Sequence, residues 1–333
     1  MTKTFPFLLI TLFLLACNNK STNEVVVYTS VDQVFSEPVL KKFEKQTGIK
    51  VNAVFDTEET KSTGVLNRLI AEKNNAQCDV FWSGDPMRAD VLKQKEITEP
   101  YRSPAASGID AVFIDKDYNW IGFSSRARVL LTNTNLVKPQ DIPSSILDLA
   151  NEKYKGRFTI ANPLFGTTSF HIAAIFTALG DAKAKQFMED LKKNKVIIAS
   201  SNGDVKKKVA TGEVPMGLTD TDDANEAIKE GAPVKAIFLD QNAFGNLIVP
   251  NTVSLIKNSP NNENGKKLID FLLSVETEKM LAESCAQMPL HKGVAVPATV
   301  PSLDNIVPMK VDYAAAAQKS EQIKEYLKQW AGQ

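Results

Sequence analysis

Apolar and polar positions in the first part of the chain recur with two different periods. They predict strands at residues 24–29, 49–55 and 79–82 and helices at 32–46 and 62–73. The run Glu-Val-Val-Val-Tyr-Thr at 24–29 is almost continuously apolar, as is typical of a strand buried on both faces of a parallel sheet. In the first helix Val39, Leu40 and Phe43 share one face, and Gly48 ends it. Strands that alternate with helices predict an α/β fold.

The same alternation returns after the middle of the chain. It predicts strands at 158–161, 196–199 and 214–219 and helices at 169–179, 182–193 and 221–230. A long β-rich segment at 122–134 lies between the two assemblies and is the candidate for the first crossing from one to the other. Segments 234–239 and 247–256 are candidates for the return crossing. We therefore predict two lobes joined by crossing strands. The first lobe is expected to comprise 24–125 with about 241–290, and the second 126–240 with about 291–333.

Composition limits the class of protein. With 333 residues, 43% of them apolar and 23% charged, the chain has the length and content of about two globular domains. The 39 basic and 39 acidic residues cancel, so charge gives no reason to expect nucleic acid or an anionic membrane surface as a partner. A monomer is expected.

Sequence motifs of several enzyme classes do not occur in the chain. Gly-x-Ser-x-Gly, His-Glu-x-x-His and Gly-x-x-x-x-Gly-Lys are absent, and neither His171 nor His291 has an obvious catalytic partner. We therefore expect a binding protein, not an enzyme, and no cofactor of its own. An enzyme that uses only carboxylates and a surface sensor or adhesin remain as alternatives.

The N-terminus has the features of an export signal. Residues 1–16 carry one lysine, Lys3, and an apolar run that leads to Cys17. The sequence Leu-Leu-Ala-Cys at 14–17 resembles a bacterial lipobox, in which the chain is cut before a cysteine that receives lipid. About twelve apolar residues are too few to span a bilayer, so a cleaved signal peptide is predicted. Residues 17–23 are then a lipidated, polar tether, and the lipid alone holds the exported protein on a membrane facing the periplasm or the cell exterior. An ordinary signal peptide with an incidental cysteine is the alternative.

Two further cysteines, Cys78 and Cys285, lie far apart in sequence. Thiols outside the cytoplasm can pair, so a disulfide between them is left open. The sequence contains no Cys-x-x-Cys and no Cys/His cluster, which argues against a structural zinc site.

Polar residues follow the predicted strands at the positions where ligands bind in open α/β sheets. The candidates from these loops are Ser30, Asp32, Ser83, Asp85, Gly166, Thr167, Thr168, Ser169, Asp220, Asp222 and Asp223. The carboxylates of Asp32, Asp222 and Asp223 suit a hard metal cation and equally an organic ammonium group. Acidic residues at a helix start also satisfy free N–H groups, so helix capping is the alternative role for each.

The sequence also offers partners for an anion. Residues 166–169 place backbone N–H groups and hydroxyls at a helix start, which favours anion binding. Arg126 and Arg128 alternate on the predicted crossing strand. One of them is expected to face the cleft and contact an anion, and the other to form a salt bridge between the lobes. The sequence leaves open which arginine does which, but acidic and basic groups together predict a ligand of mixed charge.

Six segments occur in a distinctive order along the chain. They are Val-Tyr-Thr-Ser at 27–30, Phe-Glu-Lys-Gln-Thr-Gly-Ile-Lys-Val at 43–51, Asp-Val-Phe-Trp-Ser-Gly at 79–84, Ser-Arg-Ala-Arg-Val at 125–129, and the segments 161–169 and 217–224. Together they resemble bacterial extracellular solute-binding proteins, and their order is similar to that of the ferric-iron-binding branch of the ABC-importer binding proteins. The resemblance implies a two-lobed periplasmic-binding-protein fold of type II, with a ligand cleft between the lobes. It also implies an ABC-importer permease in the inner membrane as the partner.

The metal ligands common in that branch are replaced in this chain. They are a histidine after the first strand, a glutamate after the third and an adjacent pair of tyrosines. The corresponding positions hold Asp32, then Gly84 or Asp85, and then Asp222 with Asp223. The expected function is capture of a small charged solute, with iron or another hard metal cation and a companion anion as the leading cargo. An organic zwitterion such as an aminophosphonate, or a sugar phosphate, is the alternative cargo.

Overall fold

The computed structural model of the chain describes residues 23–56 and 63–332. The predicted signal peptide, the lipidation site Cys17 and all of the tether except its last residue therefore lie outside the described residues. Within them, no helix combines the length and the hydropathy that crossing a bilayer requires.

Strands and helices alternate along the described chain, as the sequence predicts. The strands are β1 (Glu24–Thr29), β2 (Lys50–Phe55), β3 (Val80–Ser83), β4 (Thr98–Glu99), β5 (Ile121–Asn133), β6 (Phe158–Ala161), β7 (Ile197–Ala199), β8 (Met216–Asp220), β9 (Val234–Ile237) and β10 (Ile248–Ile256). The α-helices are α1 (Gln33–Thr47), α2 (Gly64–Ala71), α3 (Pro86–Gln94), α4 (Gly166–Leu179), α5 (Asp181–Lys193), α6 (Asn202–Ala210), α7 (Thr221–Lys229), α8 (Asn262–Leu272), α9 (Val275–Cys285) and α10 (Tyr313–Ala331).

The strands form two ladders that share the long strand β5. The overall order is β2-β1-β3-β10-β5-β8-β6-β7, with β4 paired to β10 and β9 paired to β5. β5 pairs with β10 as far as Ala127 and with β8 and β9 from Arg128 onward. The chain thus crosses from one lobe to the other near the middle of β5. The predicted α/β architecture with two lobes and crossing strands is confirmed.

Each lobe has an apolar core, and the core of the second lobe extends to residues of α3 in the first. In the first, Val25, Val27 and Val80 from the sheet pack with Leu40 and Phe43 of α1. These are the positions whose spacing predicts the strand and the helix face. The second core contains the inward face of β6 and the largely buried helix α4. A contiguous core under each sheet fixes the strand ends, from which the site residues project.

The C-terminal helix α10 packs where the two lobes meet. The ring of Tyr313, its first residue, lies 6.1 Å from Trp120 and 5.8 Å from Phe170, centroid to centroid. Trp120 precedes β5 and Phe170 belongs to α4. The predicted division assigns residues 291–333 to the second lobe, but Tyr313 also contacts a residue of the predicted first lobe.

The two cysteines of the described chain, Cys78 and Cys285, are unpaired and buried. Cys78 packs with Val65, Leu66 and Leu69, whereas Cys285 packs in the core of α1 and β1. The disulfide that the sequence leaves open is therefore not formed, because the fold places the thiols in separate clusters.

Candidate functional site

A cleft of about 220 Å³ lies between the two lobes. The first lobe contributes Ser30, Asp32 and Gly84, which follow β1 and β3, and the crossing strand contributes Arg126. The second lobe contributes segments that follow β6, β7 and β8. The cleft thus forms where strand ends from both lobes meet, as the rule for open α/β sheets predicts.

The wall from the first lobe is built by hydrogen bonds between its loops. Ser30 Oγ accepts a hydrogen bond of 3.0 Å from the Gly84 amide, which ties the ends of β1 and β3 together. A Cβ on Gly84 would lie 3.3 Å from the Arg126 guanidinium, so glycine leaves room for the arginine. Asp32 is the N-cap residue of α1, but its side chain accepts no capping hydrogen bond. The capping alternative therefore does not account for the carboxylate of Asp32.

Three acidic residues of the second lobe form a cluster at the start of α7. Oxygens of Asp220, Asp222 and Asp223 lie within 4.8 Å of one another. Thr219 Oγ1 donates to Asp223 at 2.7 Å, and the Asp223 amide donates to Asp222 at 3.1 Å. Asp222 therefore accepts a hydrogen bond from a free N–H group at the start of α7, which is part of the capping role considered for it. The same cluster is also a set of hard oxygen donors of the kind that bind metal cations.

Burial, with the crowding of negative charge, changes the pKa of Asp222 in this cluster. Burial raises the pKa of Asp222 to about 7, although Arg126 opposes the shift. The carboxylates of Asp223, Asp220 and Asp32 raise the pKa of Asp222 further. Burial alone would lower the pKa of Arg126, but Asp222 and Asp220 hold it above its usual value. The cleft therefore keeps a permanent positive charge next to a carboxyl group that titrates near neutrality.

The two arginines of β5 have different roles. Arg126 lines the cleft, donates to the Gly84 carbonyl of the first lobe, and lies 3.6 Å from the carboxylate of Asp222 in the second. Arg128 is 1% exposed and forms an ion pair of 2.7 Å with Asp220. Because Asp220 lies opposite Arg128 on the neighbouring strand β8, that pair lies within one lobe. The prediction that the second arginine bridges the lobes is wrong, since Arg126 makes the contacts with both.

Arg128 organises the start of α4 behind the cleft. It donates to Thr167 at 3.1 Å and to Thr168 at 3.3 Å, and Thr167 in turn donates to Asp220 at 2.6 Å. Burial and the nearby Arg128 lower the pKa of His171 to about 3, so this histidine is neutral. Burial alone would raise the pKa of Asp220, but the positive charge of Arg128 holds the pKa of this carboxyl below its usual value.

The predicted site residues divide into two groups. Those that line the cleft are Ser30, Asp32, Arg126, Gly166, Thr167, Asp220, Asp222 and Asp223. The others, Ser83, Asp85, Thr168 and Ser169, are buried beside it. Asp85 caps α3 by accepting from the Arg88 amide at 3.0 Å, and Ser169 accepts from the Arg88 guanidinium at 3.3 Å. These four support neighbouring elements, so the structure does not bring them into the cleft.

Further lining residues follow β6 and β7 and were not predicted from the sequence. They are Asn162, Ser200, Ser201, Asn202, Gly203 and Lys206, with Glu226 from α7. Asn202 donates to Thr167 at 2.7 Å, and Lys206 forms an ion pair with Glu226. The loop Ser-Ser-Asn-Gly follows the predicted strand at 196–199. The strand-end rule applied to that strand would have found it.

Comparison with known proteins identifies the family. A family model described as "Bacterial extracellular solute-binding protein" matches residues 39–307. The Synechocystis protein named "Iron uptake protein A1" is 28% identical over 84% of this chain and 79% of its own. The Salmonella paratyphi A protein named "Putative 2-aminoethylphosphonate-binding periplasmic protein" is 27% identical over 97% of this chain and 92% of its own.

Solved structures share the fold. Iron-bound HitA from Pseudomonas aeruginosa superposes with a TM-score of 0.83 at 20% identity, covering 91% of this chain and 99% of its own. The ferric binding protein from Campylobacter jejuni has the same TM-score and coverage at 23% identity. Because the family model spans most of the sequence and the architecture agrees, this chain belongs to the bacterial extracellular solute-binding protein family.

Proposed function

We propose that this chain is the receptor of an ABC importer. In this role it captures a small solute of mixed charge by closing its lobes and presents the solute to a permease in the inner membrane. The observation that carries the proposal is the cleft in which carboxylates from both lobes face Arg126. Contacts of a ligand with both lobes supply the free energy of such a hinge closure.

The leading cargo is a hard metal cation, iron first among them, bound with a companion anion. Among the described lining residues five are carboxylates and two are basic, so the walls favour a cation. The cluster of Asp220, Asp222 and Asp223, facing Asp32, would supply hard oxygen ligands. Arg126 and the start of α4 are the proposed partners of the anion. The relative named for iron uptake supports this cargo.

An organic zwitterion such as an aminophosphonate is the second candidate. The described lining contains neither tyrosine nor histidine, although these are the ligands common in the iron-binding branch. The cleft of about 220 Å³ also exceeds what a lone ion needs. The amine of such a molecule would face Asp222 and Asp223, and its phosphonate would face Arg126. The relative named for 2-aminoethylphosphonate binding supports this candidate.

The proposed route to the site of action is export and lipid attachment. Residues 1–16 would be removed as a signal peptide, and Cys17 would carry the lipid. The protein would then act as a tethered monomer outside the cytoplasm. Growth with radiolabelled palmitate tests this, since a Cys17→Ser variant should lose the label and a Cys78→Ser variant should keep it.

A double substitution tests the role of the cleft. In dialysed protein, Asp222→Ala with Asp223→Ala removes the two acidic residues of the α7 first turn, so we expect binding of ferric citrate and of 2-aminoethylphosphonate to be abolished in calorimetric titrations. Glu213→Ala is the matched control, because it removes an exposed carboxylate of the same lobe whose ion pair within the described chain is with Lys208. Unchanged affinity in the folded double variant would assign both residues to helix capping.

A further inference from the structure

The crossing strand β5 contains a buried residue in a rare backbone conformation. Ser124 has a φ of 40° and is 0% exposed. A non-glycine residue in this region costs about 1–3 kcal/mol, so it persists only where its surroundings enforce it. The partner strand is also irregular here, because the register of β10 shifts between Pro250 and Asn251. The kink lies on the strand that joins the lobes and two residues before Arg126.

A buried carboxylate holds the amide of this kink. Glu278 of α9 is 0% exposed and accepts from the Ser124 amide at 2.7 Å. It also accepts from the Leu290 amide at 2.8 Å and from the amide of His291 at 3.0 Å. The His291 ring adds a fourth contact, in which Nδ1 lies 2.8 Å from the same carboxylate. A buried charge with four donors is strongly tied to its partners, since losing one donor leaves the charge less compensated.

The contacts of His291 fix the orientation of its ring. Its Nε2 lies 3.1 Å from the Ala105 carbonyl, while Nδ1 faces the carboxylate of Glu278. The ring thus lies between two oxygen acceptors, one on Glu278 and one on the Ala105 backbone, and its two nitrogens link α9 to the 104–106 segment. Leu290, Ala105 and part of α9 belong to the core of the first lobe, so the pair anchors the kink to that lobe.

The other side of the kink is held by Asn251 of β10 and by the segment that follows α9. The Asn251 side chain donates to the Ser124 carbonyl at 2.5 Å and to Gln287 at 2.6 Å. Ser125 and Met288 exchange two backbone hydrogen bonds of 2.7 Å each. Both peptide groups next to Ser124 are thus fixed from the first lobe.

We propose that Glu278, paired with His291, is a positioning residue for solute capture. It fixes the kink at Ser124, sets the resting angle between the lobes, and directs Arg126 into the cleft. Glu278 is not part of the cleft lining, so it acts through the hinge strand. This inference rests on the proposed function, because a resting angle matters only if capture proceeds by lobe closure.

A substitution on α9 with a matched control tests the proposal. Glu278→Gln keeps the size of the side chain but turns its amide nitrogen toward donors. Glu283→Gln changes an exposed carboxylate of the same helix. Because the strain at Ser124 is no longer compensated, we expect about ten-fold weaker binding of ferric citrate or 2-aminoethylphosphonate in Glu278→Gln. We also expect a changed radius of gyration of the ligand-free protein in X-ray scattering. Glu283→Gln should match the wild type in both measurements.

Rescue separates a hinge role from a general loss of packing. Glycine adopts a positive φ readily, so Ser124→Gly should keep the kink without help from Glu278. We expect the double variant Glu278→Gln/Ser124→Gly to recover wild-type scattering and most of the lost affinity. A double variant that behaves like Glu278→Gln, or a Glu278→Gln variant that behaves like Glu283→Gln, would overturn the proposal.

The test also distinguishes the hinge role from the cargo. If the wild type binds neither probe, the proposed cargo is wrong. Urea unfolding of the four proteins in the double-mutant cycle still reports whether Glu278 and Ser124 are coupled, and additive free energies of unfolding would overturn the hinge role. If Glu278→Gln does not fold, His291→Gln replaces it in the cycle, since glutamine cannot reach both Glu278 and Ala105 as the His291 ring does.

Discussion

The protonation of Asp222 gives a quantitative prediction that needs no ligand. Burial raises the pKa of this carboxyl from 3.8 to about 7. Between about pH 4 and pH 7 the native protein therefore keeps a proton that the unfolded chain has released. Because the native state binds more protons in this window, stability falls as the pH rises through it. Above the folded pKa no further change comes from this group.

The size of the effect follows from the shift. A difference of about three pH units would correspond to about 4 kcal/mol for an isolated group. The Asp222 side chain is 15% exposed, and oxygens of Asp220 and Asp223 lie within 4.8 Å of its carboxylate, so the shift does not belong to Asp222 alone. We therefore expect a contribution of about 1–2 kcal/mol. Asp222→Asn removes the titrating group and with it this contribution.

The assay is urea unfolding of the ligand-free protein between about pH 5 and pH 8. The stability of the wild type relative to Asp222→Asn should fall by about 1–2 kcal/mol across this range. His171, whose pKa burial lowers to about 3, changes stability in the opposite direction, but it does so equally in both proteins. Glu213→Gln is the control and should keep the wild-type slope. Parallel curves for the wild type and Asp222→Asn would show that Asp222 is already ionised in the empty cleft, and the electrostatic reasoning would be wrong.

Three more predictions concern other parts of the molecule. Arg126→Gln should weaken binding of 2-aminoethylphosphonate by roughly 10–100-fold in calorimetry, because charge-assisted hydrogen bonds are lost, and it should also raise the pKa of Asp222 further. An equal affinity would show that Arg126 does not contact the anion. Gly217→Ala should destabilise the protein by about 1–3 kcal/mol in urea unfolding, because the new Cβ would lie 2.5 Å from Val205 and 2.9 Å from Thr159. Wild-type stability would mean that β8 shifts freely. In a Cys17→Ser form, Cys78 and Cys285 should react with a thiol reagent only after denaturation, and reaction in the native protein would contradict their burial.

Much of the fold follows from periodicity, and the exceptions have physical causes. The strands β1 and β6 have the predicted bounds, because continuous apolar runs mark buried strands well. Helix α3 was not predicted, since its residues from Pro86 to Leu92 are all buried and therefore show no polar face. Nothing in the sequence around Ser124 predicts a positive φ, because that conformation is imposed by Glu278 from α9.

The sequence predicts which loops form the site, but it does not predict which of their side chains point into the cleft. The strand-end rule places Asp32, Asp85 and Asp222 near a common cleft. An aspartate at a helix start looks the same in sequence whether it caps the helix, as Asp85 does, or faces the cleft. The choice between Arg126 and Arg128 likewise depends on the strand register, which places Arg128 opposite Asp220.

Native mass spectrometry with elemental analysis, on protein purified from its own cell envelope, tests the proposed capture most directly. We predict one retained small solute per chain, either a metal with an anion or an organic zwitterion, and its loss from the variant with alanine at Asp222 and Asp223. A wild-type protein that carries no solute from the envelope and takes up neither ferric citrate nor 2-aminoethylphosphonate would contradict a mixed-charge cargo in this cleft.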